Sequence, residues 1–150
     1  MAVKYQQEFL SSVKGQVASL LEEDYSEIEH DKDRRKLKPN WNLYERLEGL
    51  GLLYIFTARS EGVLVGYFTV LVHEDLHDSD NVCATQDVLF LSKPYRKGLS
   101  GLKLVRFGEK CLKQDGYSHL TITTTVQNPV GSLMKRLGYT KVEEKFERKL

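Results

Sequence analysis

The sequence has little cysteine, no excess of charge of either sign and no long apolar run. Its two cysteines, Cys83 and Cys111, match neither a disulfide framework nor the spacing of a zinc site. The 22 basic and 21 acidic residues give a formal charge of +1, so no global field indicates a nucleic acid as partner. The longest apolar run, near residues 63–72, is too short to span a bilayer. We therefore expect a soluble protein of the reducing cytoplasm, without a signal segment and without a membrane partner.

Periodicity predicts two helices in the first third of the chain. Residues 4–23 carry apolar side chains at helical spacing, namely Phe9, Val13, Val17, Leu20 and Leu21. The charged stretch 24–40 is predicted to be a loop. Residues 41–50 then form a short helix that ends at Gly49 and Gly51.

Strands are predicted in the middle and at the end. Residues 52–59 and 63–73 are joined by a hairpin turn, and the second strand is apolar on both faces, which indicates a central position. Residues 83–91 form a third strand, which a loop connects to a helix that reaches about Gln114. A strand over 119–126, a helix to Leu137 and one or two strands within 139–150 follow. No linker or repeat divides the chain, so we expect a single domain, 1–150.

The most informative segment runs from Asp87 to Leu104. An apolar strand ends in a Pro-Tyr-Arg turn, and a glycine-containing loop begins a helix. The first N–H groups of a helix have no partner within it, and glycines let a ligand approach the backbone closely. The segment therefore predicts a phosphate cradle, although it matches neither the Walker pattern nor the dinucleotide fingerprint. The cradle residues are Arg96, Lys97, Gly98, Leu99, Ser100 and Gly101.

This segment resembles the acyl-CoA pyrophosphate loop of the GCN5-related N-acetyltransferase (GNAT) superfamily, whose pattern is R/Q-x-x-G-x-G/A. Arg96 fits the first position and Gly101 the last, while Leu99 replaces the middle glycine and Gly98 falls one place early. A second block, Leu133 to Tyr139, resembles the superfamily's L-Y-x-x-x-G-F. The resemblance covers roughly residues 50–150. It extends more weakly over the N-terminal helices, where the pattern is similar to GNAT-type proteins of bacteriophages.

The resemblance implies a mixed α/β fold that binds acetyl-CoA as the acyl donor. Its sheet would be mostly antiparallel, with six or seven strands, a splayed central parallel pair and about four flanking helices. The pantetheine arm would lie in the splay, along the backbone of Leu89, Phe90 and Leu91 and near Asn128. An Asn before a proline is equally a turn former. The implied reaction is direct transfer of the acetyl group to a primary amine of a protein or a small molecule, and no feature of the sequence identifies which.

The catalytic residues are less well defined. Asp87 lies in the strand that often carries the superfamily's base, and apolar neighbours would raise the pKa of its carboxylate; the alternative is that it faces solvent or anchors a loop. The usual acid is the Tyr of L-Y-x-x-x-G-F, but Met134 occupies that position and a thioether donates no proton. Tyr139, Ser132 or water would then protonate the thiolate.

Histidines and acidic residues cluster before the third predicted strand, at His73, Glu74, Asp75, His77, Asp78 and Asp80. The order lacks H-E-x-x-H, so we predict a solvated loop rather than a metal site. His77 would act as a proton relay if the loop folded over Asp87. For His30, solvent exposure is favoured over substrate contact, and for Trp41 and Tyr44 core packing is favoured over an acceptor clamp.

A second hypothesis follows from the same departures from the superfamily's pattern. The missing Tyr at Met134 and the irregular loop are also compatible with a GNAT-fold acyl-CoA-binding module, catalytically weak or inactive, that serves as a virion or host-interaction protein. A homodimer is left open as a further partner.

Overall fold

The computed structural model describes residues 2–29 and 36–150, whose strands form one five-stranded sheet in the order of the chain. The strands are β1 (Val3–Gln7), β2 (Leu53–Ser60), β3 (Val63–Glu74), β4 (Val82–Leu91) and β5 (Leu120–Thr121). Pairing is antiparallel from β1 to β4, and β5 is parallel to β4. β3 lies in the middle of the sheet, which confirms its predicted central position.

The described residues form four α-helices around this sheet: α1 (Leu10–Ile28), α2 (Trp41–Gly49), α3 (Ser100–Gln114) and α4 (Gly131–Leu137). Side chains of α1 and α2 share one apolar cluster with β2, β3 and β4, and α3 packs on the opposite face. A third cluster joins α3 to α4. None of the helices in the described ranges is long and apolar enough to cross a membrane.

The helix α3 approaches the sheet very closely at Gly108. A Cβ at this position would lie 2.8 Å from the ring of Phe68 and 2.9 Å from that of Phe56, so only glycine fits without displacing the rings. Both rings are fully buried. Because α3 follows the loop after β4, this contact also fixes where the N-terminus of α3 lies.

The N-terminus differs from its predicted structure. Residues 3–7 form a strand along β2, and α1 begins only at Leu10, with Phe9 as an exposed N-cap. Local periodicity missed β1 because a five-residue segment becomes a strand only when a distant edge is available to pair with it. The loop predicted from residue 24 was also wrong at its start, since α1 continues to Ile28.

The hairpin between β2 and β3 was predicted correctly. Glu61 and Gly62 have φ values of 50° and 82°, the left-handed conformation that two-residue hairpin turns require.

The end of the chain carries fewer strands than predicted. β5 has two residues instead of eight, and residues 139–150 form neither helix nor strand. The parallel pair β4–β5 therefore lies at one end of the five-stranded sheet rather than at its centre, and the sheet is one or two strands smaller than expected.

Candidate active site

A cleft of about 590 Å³ opens where β4 and the segment after β5 separate. Helix α1 forms one wall, and the residues before α2 form the rim. Polar side chains are concentrated in it, among them Asp24, Tyr25, Tyr44, Gln86, Asp87, Thr123, Thr125 and Asn128. The cleft thus brings together residues that lie far apart in the sequence.

A β-bulge presents Asp87 to this cleft. Thr69 pairs with Val88 and Val70 pairs with Gln86, so Asp87 has no partner in β3. The Thr69 hydroxyl accepts a hydrogen bond from the Val88 N–H at 3.0 Å and donates one to Asp87 Oδ2 at 3.2 Å. Because bulges redirect side chains, one buried hydroxyl both fixes the irregularity and orients the carboxylate.

Tyr44 of α2 donates a second hydrogen bond to Asp87 Oδ2, also at 3.2 Å. Burial, followed by the charge of Asp87, raises the pKa of Tyr44, so the phenol stays protonated as a donor. Tyr44 also packs against Trp41 with ring centroids 5.5 Å apart. It therefore combines the packing role favoured from the sequence with a contact in the cleft that the sequence did not indicate.

Gln86 bridges the point at which the two parallel strands separate. Within the described chain, β4 and β5 pair at only two positions, Ala84 with Leu120 and Thr85 with Thr121. Beyond them, Gln86 Oε1 accepts the Thr123 N–H at 2.8 Å in place of a ladder bond. The edge of β4 beyond Gln86 is consequently open, and an extended ligand can pair with it as an added strand.

Tyr67 lies buried close to this cleft. Its residue is 1 % exposed, and its hydroxyl has no hydrogen-bond partner among residues 2–29 and 36–150. Burial, followed by the charges of Asp24 and Asp87, raises the pKa of Tyr67, so the phenol remains neutral. A neutral, unpaired donor near two carboxylates is unusual, because buried polar groups are normally bonded.

The loop after β4 has the features of an anion site. Helix α3 begins at Ser100 without a side-chain cap and without an acidic residue in its first turn. Its first backbone N–H groups are therefore available to a ligand, and the helix dipole favours negative charge there. Gly98 has a φ of 85°, which only glycine adopts easily. The loop can therefore hold an anion such as a phosphate group.

Arg96 has a different environment from the one expected. We expected its charge in the cradle, but its Nη2 group donates to both carboxylate oxygens of Glu27 on α1, at 2.9 and 2.8 Å. Its Nε donates to the carbonyl of Leu91 at 2.6 Å, and the guanidinium lies over the ring of Phe90. Arg96 thus fastens the loop to α1, while Lys97 is left to supply charge.

Asn128 lies in the turn after β5, on the other side of the cleft from the loop after β4. Its backbone N–H donates to the Thr125 hydroxyl at 3.2 Å, and its Nδ2 donates to Glu27 at 3.4 Å. It is therefore both a turn former and a cleft residue. Glu27 therefore contacts both the loop after β4 and the turn after β5. No sequence motif predicted this role.

The residues considered as proton donors lie elsewhere. Tyr139 donates to Glu109 of α3 at 2.8 Å, and burial and this bond raise the pKa of its phenol. Met134 is buried between α3 and α4. Neither residue lines the cleft.

The loop between β3 and β4 is bonded internally. The His77 N–H donates to Asp75 at 2.8 Å, and Asn81 donates to the same carboxylate at 3.1 Å. His77 is exposed and does not line the cleft. His30 lies outside the described residues.

Comparison with solved structures relates this geometry to known proteins. An aminoglycoside acetyltransferase from an uncultured soil metagenomic sample is similar, with a TM-score of 0.78, 14 % identity, and 100 % of this chain and 99 % of that chain covered. Ribosomal-protein-alanine N-acetyltransferase from Brucella melitensis biovar Abortus 2308 gives a TM-score of 0.74 at 16 % identity and full coverage of both chains.

The chain has the GNAT fold. A third similar structure is AAC(6')-Iy in complex with the bisubstrate analogue CoA-S-monomethyl-acetylneamine, with a TM-score of 0.74, 15 % identity, and 100 % and 99 % of the two chains covered. No protein-family model and no curated protein matches the chain. The likeness to GNAT-fold enzymes is therefore one of architecture, and the resemblance to bacteriophage proteins stays a prediction.

Proposed function

We propose that this protein is an acetyl-CoA-dependent N-acetyltransferase whose reaction takes place in the cleft between β4 and β5. The observation that carries the proposal is the open edge of β4 beside Asp87, which the bulge presents to the cleft. An extended amide chain can pair with that edge, and a carboxylate beside it can take a proton from an amine. The GNAT fold of the chain supports this assignment.

The donor would lie along the backbone of Leu89, Phe90 and Leu91. Its pyrophosphate would meet the uncapped N-terminus of α3, from Leu99 to Gly101, with Lys97 nearby. The side chains of Phe90 and Leu91 are buried and anchor this part of β4 in the core. Positioning of the thioester against the amine supplies much of the rate in such a reaction.

Asp87 would act as the base. Its Oδ2 already accepts from Thr69 and Tyr44, whereas Oδ1 accepts no bond from the described residues. Oδ1, directly or through a water, takes a proton from the acceptor ammonium. The amine nitrogen then attacks the thioester carbonyl carbon and the C–S bond breaks. The proton that the nitrogen loses as the amide forms passes through water to the departing thiolate.

The setting we propose is the cytoplasm, which for a bacteriophage-encoded protein means that of the host. Both cysteines are free thiols, in keeping with a reducing compartment. The acceptor is a primary amine of a protein or of a small molecule.

The experiment offers acetyl-CoA and a mixed pool of amines to the parent protein and to Asp87→Asn, and follows release of the CoA thiol together with acetylated products by mass spectrometry. We expect turnover by the parent and a fall in kcat of roughly 100-fold or more in Asp87→Asn, whose shape is nearly unchanged. Equal rates across the pH range would remove Asp87 from the mechanism.

The donor site has its own test, measured by calorimetry. Gly101→Glu places a negative charge in the first turn of α3, and its Cβ meets only Leu133, at 3.5 Å, so the fold should tolerate it. Gly15→Glu adds the same charge to an exposed position of α1 and serves as the control. We expect acetyl-CoA binding to be lost in the first variant and kept in the second.

The second candidate function is that of an acyl-CoA-binding module with the GNAT fold and weak or no catalytic activity. It is favoured by the placement of Met134 and Tyr139, since neither supplies a hydroxyl to the cleft. Normal acetyl-CoA binding without acetylation of any amine would establish it in place of the enzyme.

A further inference from the structure

Three large apolar side chains near the end of the chain are exposed to solvent. Val142 is 78 % exposed and Phe146 is 92 % exposed, and Leu150 is fully exposed. They lie in the segment 139–150, which forms no helix or strand in the described structure. Apolar side chains that come together on one face form a patch, and larger exposed apolar patches mark interaction sites.

In an extended conformation, the segment would have one largely apolar face. Val142, Phe146 and Leu150 fall on one face at a period of two, with Glu144 and Arg148 between them. The other face carries only charged residues, which alternate in sign: Lys141, Glu143, Lys145, Glu147 and Lys149. One face is thus largely apolar and the other is a regular row of opposite charges.

This charge pattern is complementary to itself in one antiparallel register. With Phe146 opposite its own copy, Glu143 faces Lys149, Glu144 faces Arg148, Lys145 faces Glu147, and Val142 faces Leu150. Every charge from residue 143 to residue 149 then has an opposite charge across the pair, and each apolar residue meets an apolar residue. Cross-strand pairs of this kind stabilise a sheet.

Neighbouring registers lack this property. A shift by one residue sets Glu144 against Glu147 in one direction and Lys145 against Arg148 in the other. A shift by two residues sets Glu143 against Glu147 or Lys145 against Lys149. Parallel pairing in register would place every charge against its own copy. Like charges directly opposite each other are destabilising, so a single arrangement is selected.

We propose that two copies of this chain associate through antiparallel pairing of residues 142–150, with the two-fold axis at Phe146. The contact is isologous, because the same surface of each copy meets itself. The alternatives, a strand added to the sheet of the same copy or to an unrelated protein, do not use the self-complementary charges. The proposal is independent of the acetyl-transfer assignment.

The expected association is weak and sensitive to salt. A two-stranded ribbon alone is marginally stable in water, so dimers should appear only at high protein concentration, on the order of 100 μM. The ion pairs across the ribbon would be exposed to solvent, so added salt should weaken them. The Debye length is already only about 8–10 Å at ordinary ionic strength. In the monomer, Glu144 contacts Lys141, and Glu147 also has an interaction within its own chain. In the ribbon, Glu144 and Glu147 would exchange these contacts for Arg148 and Lys145 of the second copy.

The test is sedimentation equilibrium of the full chain with single and paired charge exchanges. Glu143→Lys alone, or Lys149→Glu alone, creates two like-charge contacts in the symmetric ribbon, and we expect the dissociation constant to rise at least roughly tenfold. The double exchange Glu143→Lys/Lys149→Glu restores complementarity, and its constant should return to within about threefold of the parent value.

Replacement of an exposed apolar residue by aspartate provides a matched pair of variants. Phe146→Asp places two carboxylates at the axis and should leave only monomer, whereas Leu76→Asp changes an equally exposed leucine in another loop and should leave the dimer intact. Both positions are exposed, so the melting temperature should stay within a few degrees of the parent value in each variant. The proposal would be overturned if the parent protein were monomeric at all concentrations. It would also be overturned if the single and double charge exchanges had the same dissociation constant.

Discussion

Glu27 of α1 binds Arg96 of the loop after β4 through both of its carboxylate oxygens, at 2.9 and 2.8 Å. The Glu27 side chain is 13 % exposed, so this is a largely desolvated ion pair. Because Asn128 donates to the same carboxylate, one residue connects α1 to both sides of the cleft. Glu27 therefore holds together the two sides of the cleft in which we propose that the pantetheine arm lies.

Removal of this charge should weaken donor binding. In Glu27→Gln, Arg96 loses its partner in a half-buried position, and we expect the dissociation constant of acetyl-CoA to rise about tenfold, which corresponds to the ~1.4 kcal/mol scale of one such interaction. Calorimetry measures it, with Glu22→Gln on the exposed side of α1 as the control. Tighter binding in Glu27→Gln would mean that the contact blocks the donor instead of preparing its site.

Thr69 should influence the reaction without touching a substrate. Thr69→Val keeps the shape but leaves the Val88 N–H and Asp87 without the hydroxyl they share. We expect kcat to fall about tenfold with little change in the KM for acetyl-CoA, and the free energy of unfolding to fall by about 1–2 kcal/mol. Thr69→Ser retains the hydroxyl and should recover most of kcat. A loss of stability with an unchanged kcat would show that the bulge does not position Asp87.

Tyr67 offers a test of its unpaired hydroxyl. Because the group has no partner in the described structure, Tyr67→Phe should leave the free energy of unfolding unchanged or raise it by up to about 1 kcal/mol. Tyr54→Phe is the comparison, since the Tyr54 hydroxyl donates to Asp115 at 2.7 Å and its removal should lower stability. Denaturant titration measures both. A loss above about 2 kcal/mol in Tyr67→Phe would indicate a buried water or ligand bonded to the phenol.

Acid should remove the contribution of Glu8 to stability. Burial alone would raise the pKa of Glu8, but hydrogen bonds from Arg59 and Thr57 outweigh it and lower the pKa from 4.5 to about 2. The contribution is therefore complete above the unfolded value, near pH 4.5, and is lost as the pH falls through about 2. It is on the order of 3 kcal/mol, since one pKa unit corresponds to about 1.4 kcal/mol.

Denaturant titration of the parent and Glu8→Gln between pH 7 and pH 2 measures this contribution. The difference in the free energy of unfolding should be largest at pH 7 and should shrink below pH 4.5. A difference that is independent of pH would show that the carboxylate charge of Glu8 does not matter.

The sequence predicted those parts of the fold whose signals are local. The β2–β3 hairpin follows from Glu61 and Gly62, and α2, β4 and α3 follow from periodicity that tertiary packing supports. The strand β1 was missed because its pairing with β2 joins residues 49 to 57 positions apart. The C-terminal strands were expected from the resemblance, but residues 139–150 have no sheet partner within the described chain.

The residues of the candidate site likewise divide into those with a local sequence signal and those that depend on distant contacts. Asp87 and the loop to Gly101 were identified from motifs, whereas Gln86 and Tyr44 acquire their roles only through contacts across the cleft. The position of Gln86 beside Asp87 in β4 was the one available signal for it. Glu27 is one of several acidic residues on α1, and only the folded chain distinguishes it from its neighbours.

The central claim is that an acyl-CoA binds in the opening between β4 and β5, and a crystal structure of the protein with CoA tests it most directly. The account predicts pantetheine density along Leu89 to Leu91, next to Asp87, and the pyrophosphate at the first N–H groups of α3. CoA bound at another surface, or a cleft filled by this chain's own residues at saturating CoA, would contradict the account.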